Sequence, residues 1–206
     1  MEDRLGKLGF VGRFKPLHNG GLVMLEELCK KADDLLIGIG SCNKYNLRNP
    51  FTADESAEMI ELVLSQKFSN YHVVQIPDFA QIPEYQDGQK WKQYVLEKFG
   101  SLDYFVSSNE FVRALLQDSY RIIHPAELIP KEKLQKIKST QVRVEMAKYG
   151  NWKDFVPEKV ARYLEENGIV ERFRKEFGLQ TLSLLSEYDD CNKESLEDEK
   201  NHPQEV

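Results

Sequence analysis

Short apolar, β-rich runs alternate with helical segments over the first 123 residues, and this alternation limits the fold more than any other feature. It is typical of a parallel sheet that carries helices on both faces. The predicted strands are 8–11, 34–39, 72–76, 104–107 and 120–123, and the predicted helices between them are 21–31, 53–66, 89–99 and 110–117. We therefore expect an α/β fold with a doubly wound parallel sheet.

The pattern changes after residue 123. Residues 124–138 contain two prolines and predict a loop, and Ser139-Thr140 offers an N-cap for the next helix. Helices are predicted over 141–149, 158–166 and 169–177. We expect one domain over residues 1–185, with C-terminal helices from about residue 139.

Residues 186–206 form an acidic tail. This segment contains eight acidic and two basic side chains, which account for the whole net charge of −6. It lacks apolar periodicity, so we expect it to be disordered. The rest of the chain is electrically balanced, and we therefore expect no nucleic-acid partner.

Two further features of the sequence bear on location. No apolar run approaches the roughly 20 residues that a membrane helix needs, so we expect no membrane partner. The three cysteines are odd in number and lack the spacing of a metal site. A reducing, cytoplasmic setting fits them best.

The loop that follows the first predicted strand carries the strongest functional signal. Residues 12–21 read Gly-Arg-Phe-Lys-Pro-Leu-His-Asn-Gly-Gly and lead into a predicted helix. A helix N-terminus offers unpaired N–H groups and the positive end of a dipole. Arg13 and Lys15 add full charges, and His18 adds a hydrogen-bond donor. This arrangement favours a phosphate site, although a plain strand-to-helix turn can have the same composition.

Three other segments are expected at the same edge of the sheet. They are the loop 40–52, the loop 107–109 and the helix start at 138–143. Open parallel sheets bind ligands at the carboxyl ends of their strands, where such loops meet.

These segments together resemble nucleotidyltransferases of the HxGH class, and more closely the archaeal-type nicotinamide mononucleotide adenylyltransferases. The similarity covers roughly residues 6–175, and its marks occur in the order typical of that family. They are Gly12–Gly20, Gly38–Ser41, Arg48–Ala53, Ser107–Asn109 and Ser139–Arg143. The resemblance implies a Rossmann-like nucleotidyltransferase fold and transfer of the adenylyl group of ATP to nicotinamide mononucleotide, which yields NAD and pyrophosphate.

The resemblance also implies roles for individual residues. The implied catalytic residues are His18, Arg13 and Arg143. The implied ATP-binding residues are Gly12, Arg13, Lys15, His18, Gly20, Ser107, Asn109, Ser139, Thr140 and Arg143. The implied acceptor-binding residues are Ser41, Arg48, Asp78 and Trp91. Mg²⁺ is expected to bind through the ATP phosphates and not through a dedicated set of protein ligands. The resemblance leaves open whether the chain forms a homo-oligomer.

The main departure from the family pattern is at Gly21, and Ser56 and Lys138 are smaller departures. The motif of the family ends in a second histidine, and this chain has Gly21 there. Loss of such a transition-state donor costs about 2.7–4 kcal/mol, or 10²–10³ in rate. One explanation is a slow enzyme in which Lys15 or backbone N–H groups compensate for the missing histidine. Another is a nucleotide-binding or regulatory homologue that has lost catalytic activity. An engineered or unusual substitution is the third explanation.

Other interpretations stay open at this point. A nucleotidyltransferase with another acceptor, a phosphopantetheine or a phosphoalcohol used with CTP, is disfavoured by Trp91 and by the 48–53 element. Arg48 can be a surface residue, and Trp91 can belong to the core. Arg143 can pair with Glu145 or with an acidic residue on another helix.

Overall fold

The computed structural model describes residues 4–135 and 137–184. Five strands form one sheet in the order β3-β2-β1-β4-β5, and every neighbouring pair is parallel. The strands are β1 Lys7–Gly12, β2 Asp34–Gly40, β3 Tyr71–Ile76, β4 Tyr104–Val106 and β5 Ile122–Ile123. The predicted parallel sheet and all five of its strands are confirmed.

Helices cover the sheet and extend beyond it toward the C-terminus. They are α1 Asn19–Lys31, α2 Ala53–Leu64, α3 Gln89–Phe99, α4 Glu110–Leu116, α5 Pro125–Leu128, α6 Ser139–Ala147, α7 Glu158–Glu166 and α8 Ile169–Phe173. A π-helical turn, Arg174–Gly178, follows α8, and residues 179–184 are again helical. The final helical region is therefore longer than the predicted 169–177.

Side chains that alternate along β2 show why the sheet is doubly wound. Leu35 and Ile37 belong to the larger core, which also takes in α1, α2 and the C-terminal helices. Leu36 lies in a second core with residues of α3 and α4. Successive side chains of a strand point to opposite faces, so a nearly all-apolar strand needs helices on both sides.

Local capping explains where two helices begin. Thr52 and Glu55 form the predicted capping box at the start of α2, with hydrogen bonds of 3.1 and 2.8 Å. The predicted loop 124–138 contains the short helix α5, because His124 and Glu127 form a second capping box around Pro125. The loop prediction was wrong there, since a histidine cap gives little signal in a sequence.

The N-cap predicted for α6 was also wrong. Lys138 occupies the N-cap position, and Ser139 is the first helical residue. The Ser139 hydroxyl instead donates to the carbonyl of Pro16 at 3.1 Å. This bond joins the start of α6 to the loop after β1, more than one hundred residues earlier in the chain.

The strand order places a crevice between β1 and β4. The chain winds outward in opposite directions from these two neighbours, so their loops diverge at the carboxyl edge. Within the described ranges, no helix has both the length and the apolar character needed to cross a membrane. The tail 186–206 lies outside the described residues, and the domain boundary near residue 185 stays a prediction.

Candidate functional site

His18 stands at the N-cap of α1, at the end of the loop that follows β1. Its Nδ1 accepts a hydrogen bond of 3.1 Å from the Gly21 N–H. Burial lowers the pKa of His18 to about 4, so the imidazole is neutral near pH 7. Because Nδ1 is the acceptor, the neutral ring carries its proton on Nε2. His18 therefore offers a donor that needs no positive charge.

Arg143, in α6, is held by two oxygen atoms. Its guanidinium donates to the Lys15 carbonyl at 2.8 Å and to the Thr140 hydroxyl at 3.2 Å. Burial, followed by the nearby charges of Arg13 and Arg48, lowers the pKa of Arg143 to about 10. No described carboxylate forms an ion pair with it, so the pairing with Glu145 is not observed.

Lys15 is almost completely buried, with 1% of its surface exposed. Its ammonium donates to the Ser41 carbonyl at 3.1 Å, which ties the loop after β1 to the loop after β2. Burial lowers the pKa of Lys15 to about 8, and the neighbouring Arg13 acts in the same direction. The protein thus keeps a poorly solvated cation at the carboxyl edge of the sheet.

These side chains meet in one cleft of about 280 Å³, here called the cationic cleft. Its lining residues are Arg13, Lys15, His18, Arg48, Ile137, Lys138, Ser139, Thr140 and Arg143. Five of these nine residues have cationic side chains, and no residue in this list is an aspartate or a glutamate. Loss of solvent and the charge of Arg48 lower the pKa of the Arg13 guanidinium. Cations brought together at such a cost are suited to bind a multiply charged anion.

A second cleft, of about 310 Å³, adjoins the start of α1 and includes Gly12, His18, Gly20, Gly21 and Gln135. A Cβ added to Gly20 would lie 2.9 Å from the Gln135 carbonyl oxygen. Only glycine therefore allows the segment that leads to α6 to approach α1 this closely. We call this space the Gly20 cleft.

A third cleft, of about 390 Å³, contains most of the predicted acceptor residues and is called the aromatic cleft. Ser41 donates to the Asp78 carboxylate at 3.3 Å. Trp91 lines the cleft and also packs against the second core, so the two interpretations of this residue are compatible. Sequence reasoning missed three aromatic residues of its wall, Phe79, Tyr85 and Phe111. The sequence carried no signal for them, although the structure leaves Phe111 exposed two residues after the N-cap Asn109.

The structure divides the predicted residues differently from the sequence analysis. Arg48 lies in the cationic cleft, apart from Ser41, Asp78 and Trp91. Asn109 lines the aromatic cleft, while the buried Ser107 accepts the Asn109 N–H at 3.2 Å. Arg13 borders all three clefts and is the residue where they meet.

Comparison with known proteins agrees with this geometry. Residues 9–145 match the cytidylyltransferase-like family. The nicotinamide-nucleotide adenylyltransferase of Pyrococcus furiosus is 31% identical over 171 residues, which cover 80% of this chain and 86% of that protein. The chain belongs to the nicotinamide-nucleotide adenylyltransferase family. A second member, from Methanococcus vannielii, is 29% identical over 166 residues, covering 80% of this chain and 91% of its own length.

A solved structure shows the same fold. It is a bifunctional NMN adenylyltransferase/ADP ribose pyrophosphatase from Francisella tularensis, complexed with AMP and a manganese ion. The TM-score is 0.69 at 18% sequence identity, and the match covers 94% of this chain. This chain spans only 56% of the Francisella chain. The expected Rossmann-like nucleotidyltransferase fold is confirmed.

Proposed function

We propose that this chain transfers the adenylyl group of ATP to nicotinamide mononucleotide, forming NAD and pyrophosphate. The observation that carries the proposal is the meeting of Arg13, His18, Arg48 and Arg143 in one cleft. Among the described residues that line this cleft there is no carboxylate. The aromatic cleft lies next to it and shares Arg13. The names of the archaeal relatives point to the same reaction.

The proposed reaction needs charge neutralisation and positioning more than a strong base. The phosphate of the acceptor attacks the α-phosphorus of ATP, the bond to the β-phosphate breaks, and pyrophosphate leaves with the electron pair. We assign the β- and γ-phosphates to Thr140, in the first turn of α6, and to Arg143, which follows in the next turn and donates to the Thr140 hydroxyl. His18 donates from Nε2 to an oxygen of the reacting phosphate. Interactions of this kind act where charge develops in the transition state.

Arg13 is assigned to both substrates, because it borders the cationic and the aromatic clefts. A guanidinium there can hold the acceptor phosphate and the α-phosphate at the same time, which brings nucleophile and electrophile together. Arg48, which also lines the cationic cleft, is assigned to a phosphate and not to the nicotinamide end of the acceptor.

The aromatic cleft is assigned to the nicotinamide ring. A nicotinamide nucleotide carries a cationic pyridinium, which stacks favourably on an indole such as Trp91. The carboxylate of Asp78 in the same cleft adds a negative charge. It disfavours the extra carboxylate of a nicotinate acceptor, so we propose the carboxamide form as the preferred substrate.

Mg²⁺ enters with ATP as part of the substrate. Most of the side chains that line the cationic cleft are positively charged. A hard divalent cation needs oxygen ligands such as carboxylates, so these side chains do not form a ligand set for Mg²⁺. Among residues 4–135 and 137–184, no group of three or more His, Cys, Asp or Glu side chains is arranged to hold a metal ion. A cytoplasmic location and the lack of a nucleic-acid partner stay predictions.

A nucleotide-binding homologue with little catalysis is the second candidate, and Gly21 is the observation that favours it. A coupled assay separates the two functions. With ATP, nicotinamide mononucleotide and Mg²⁺, an enzyme releases pyrophosphate and NAD in equal amounts, and it does so only when both substrates are present. ATP binding without either product identifies the binding protein.

A further inference from the structure

We propose that the acidic segment 185–190, which joins the predicted domain to the C-terminal tail, binds the arginines of the cationic cleft and competes there with the phosphates of ATP. The proposal rests on the proposed function, because it takes the cationic cleft to be the polyphosphate site. It adds an intramolecular inhibitor that belongs to the chain itself.

The cationic cleft continues into a larger cleft of about 430 Å³ beside the last described helix, here called the C-terminal cleft. The two clefts share Arg13, Arg48, Thr140 and Arg143. The remaining lining residues of the C-terminal cleft are Leu47, Val144, Thr181 and Leu184. One end of this groove is therefore cationic and the other is largely apolar.

Leu184 is the last described residue, and it lines this groove with 54% of its surface exposed. The chain that follows reads Leu185-Ser186-Glu187-Tyr188-Asp189-Asp190. It offers two apolar side chains and three carboxylates, which match the two kinds of lining in the groove. The tail as a whole carries eight acids and two bases.

The tether is short enough for this contact. An extended chain advances about 3.3–3.6 Å per residue, so Glu187 can reach roughly 10 Å from Leu184 and Asp190 roughly 20 Å. Both distances allow contact with arginines that line the same groove. A short tether also gives an effective local concentration on the order of millimolar, so even a weak carboxylate–guanidinium contact competes with a dissolved ligand.

The test measures the affinity of inorganic tripolyphosphate by calorimetry at low salt. It compares the full chain, a chain that ends at Ser186, and the full-length triple variant E187Q/D189N/D190N. A second triple variant, E197Q/D198N/E199Q, removes the same charge farther along the tail and is the matched control. We expect the shortened chain and the first triple variant to bind about 3- to 10-fold more tightly than the full chain. The control should change the dissociation constant by less than about twofold.

Salt supplies a further check, since about 1 M salt shortens the Debye length to roughly 3 Å and should remove the difference between the chains. Equal affinity of the full and shortened chains would overturn the proposal and leave the proposed function intact. An equal effect of the two triple variants would also overturn it, because a general charge effect would then replace docking. If no chain binds tripolyphosphate, the cationic cleft is not a polyphosphate site and the proposed function fails as well.

A direct readout uses a carbodiimide, which joins a carboxylate to a lysine without a spacer. Lys138 lines the cationic cleft and is exposed. We expect a cross-link from Lys138 to Glu187, Asp189 or Asp190 that disappears when ATP is added. A cross-link that persists at saturating ATP, or none at all without ATP, would contradict docking at this site.

Discussion

The guanidinium of Arg143 donates a 2.8 Å hydrogen bond to the main-chain carbonyl of Lys15. The two residues lie 128 positions apart in the sequence. The bond fixes the first turns of α6 against the loop after β1, and the Ser139–Pro16 bond strengthens the same junction. These two bonds join the elements that form opposite walls of the cationic cleft.

Replacement of Arg143 with alanine should weaken ATP binding about 10- to 100-fold, because hydrogen bonds to charged groups contribute about 1.5–3 kcal/mol. Calorimetry measures the dissociation constant. Arg162, which pairs with Glu158 on an exposed face of α7, provides the control through R162A. Unchanged ATP affinity in R143A would remove this residue from the site.

Introduction of a histidine at Gly21 should raise turnover by up to 10²–10³, since a second imidazole would add a donor at the reacting phosphate. A Cβ at this position lies 3.8 Å from the His18 ring and 3.1 Å from a terminal methyl of the buried Leu17, which must shift by a few tenths of an ångström to admit it. G21A is the control, since it tests backbone and packing effects without the imidazole. Steady-state pyrophosphate release gives kcat; an equal response of G21A and G21H would refute the role of the ring.

Acid should destabilise the protein through His18. The folded state holds the pKa near 4, below the ordinary value of 6.5, so the unfolded chain binds the extra proton between these values. Stability therefore falls as the pH drops from about 6.5 to 4, by on the order of 2–3 kcal/mol from this residue. Urea unfolding at several pH values measures the loss. H18N keeps an N-capping side chain without a titrating ring, and its stability should fall less over that range.

Removal of the Trp91 indole should affect the acceptor more than ATP. We expect W91A to raise KM for nicotinamide mononucleotide several-fold, and W91F, which retains an aromatic face, to raise it less. Calorimetry should show the ATP dissociation constant within about twofold of the parent value. A parallel loss of ATP affinity would show that Trp91 acts through packing against the second core and not through stacking on the ring.

Much of the fold was predictable because its signals are local. The apolar run of β2 and the capping box of Thr52 and Glu55 determine their elements from a few neighbouring residues. The start of α6 was not predictable in the same way. Ser139 has the composition of an N-cap, yet its hydroxyl bonds to Pro16 in a distant loop, and only the folded chain shows that partner.

The site, like the fold, was predictable where the signal is local and not where it depends on distant contacts. The residue types of the loop 12–21 indicated a phosphate site, and the folded chain brings Arg13, His18, Arg48 and Arg143 to one cleft. The grouping of the others was not visible in the sequence, because it depends on where separate loops meet. Phe111 and Asn109 thus line the aromatic cleft beside Trp91, although nothing in the spacing of these residues links them.

A crystal structure with α,β-methylene-ATP, in which the scissile bond is blocked, would show directly whether the cationic cleft binds the triphosphate. We expect the triphosphate to lie in the cationic cleft, with Arg143 and Thr140 on the β- and γ-phosphates and His18 Nε2 within hydrogen-bond distance of the α-phosphate. A nucleotide bound with its phosphates outside that cleft, and with no contact to Arg13 or Arg143, would contradict it.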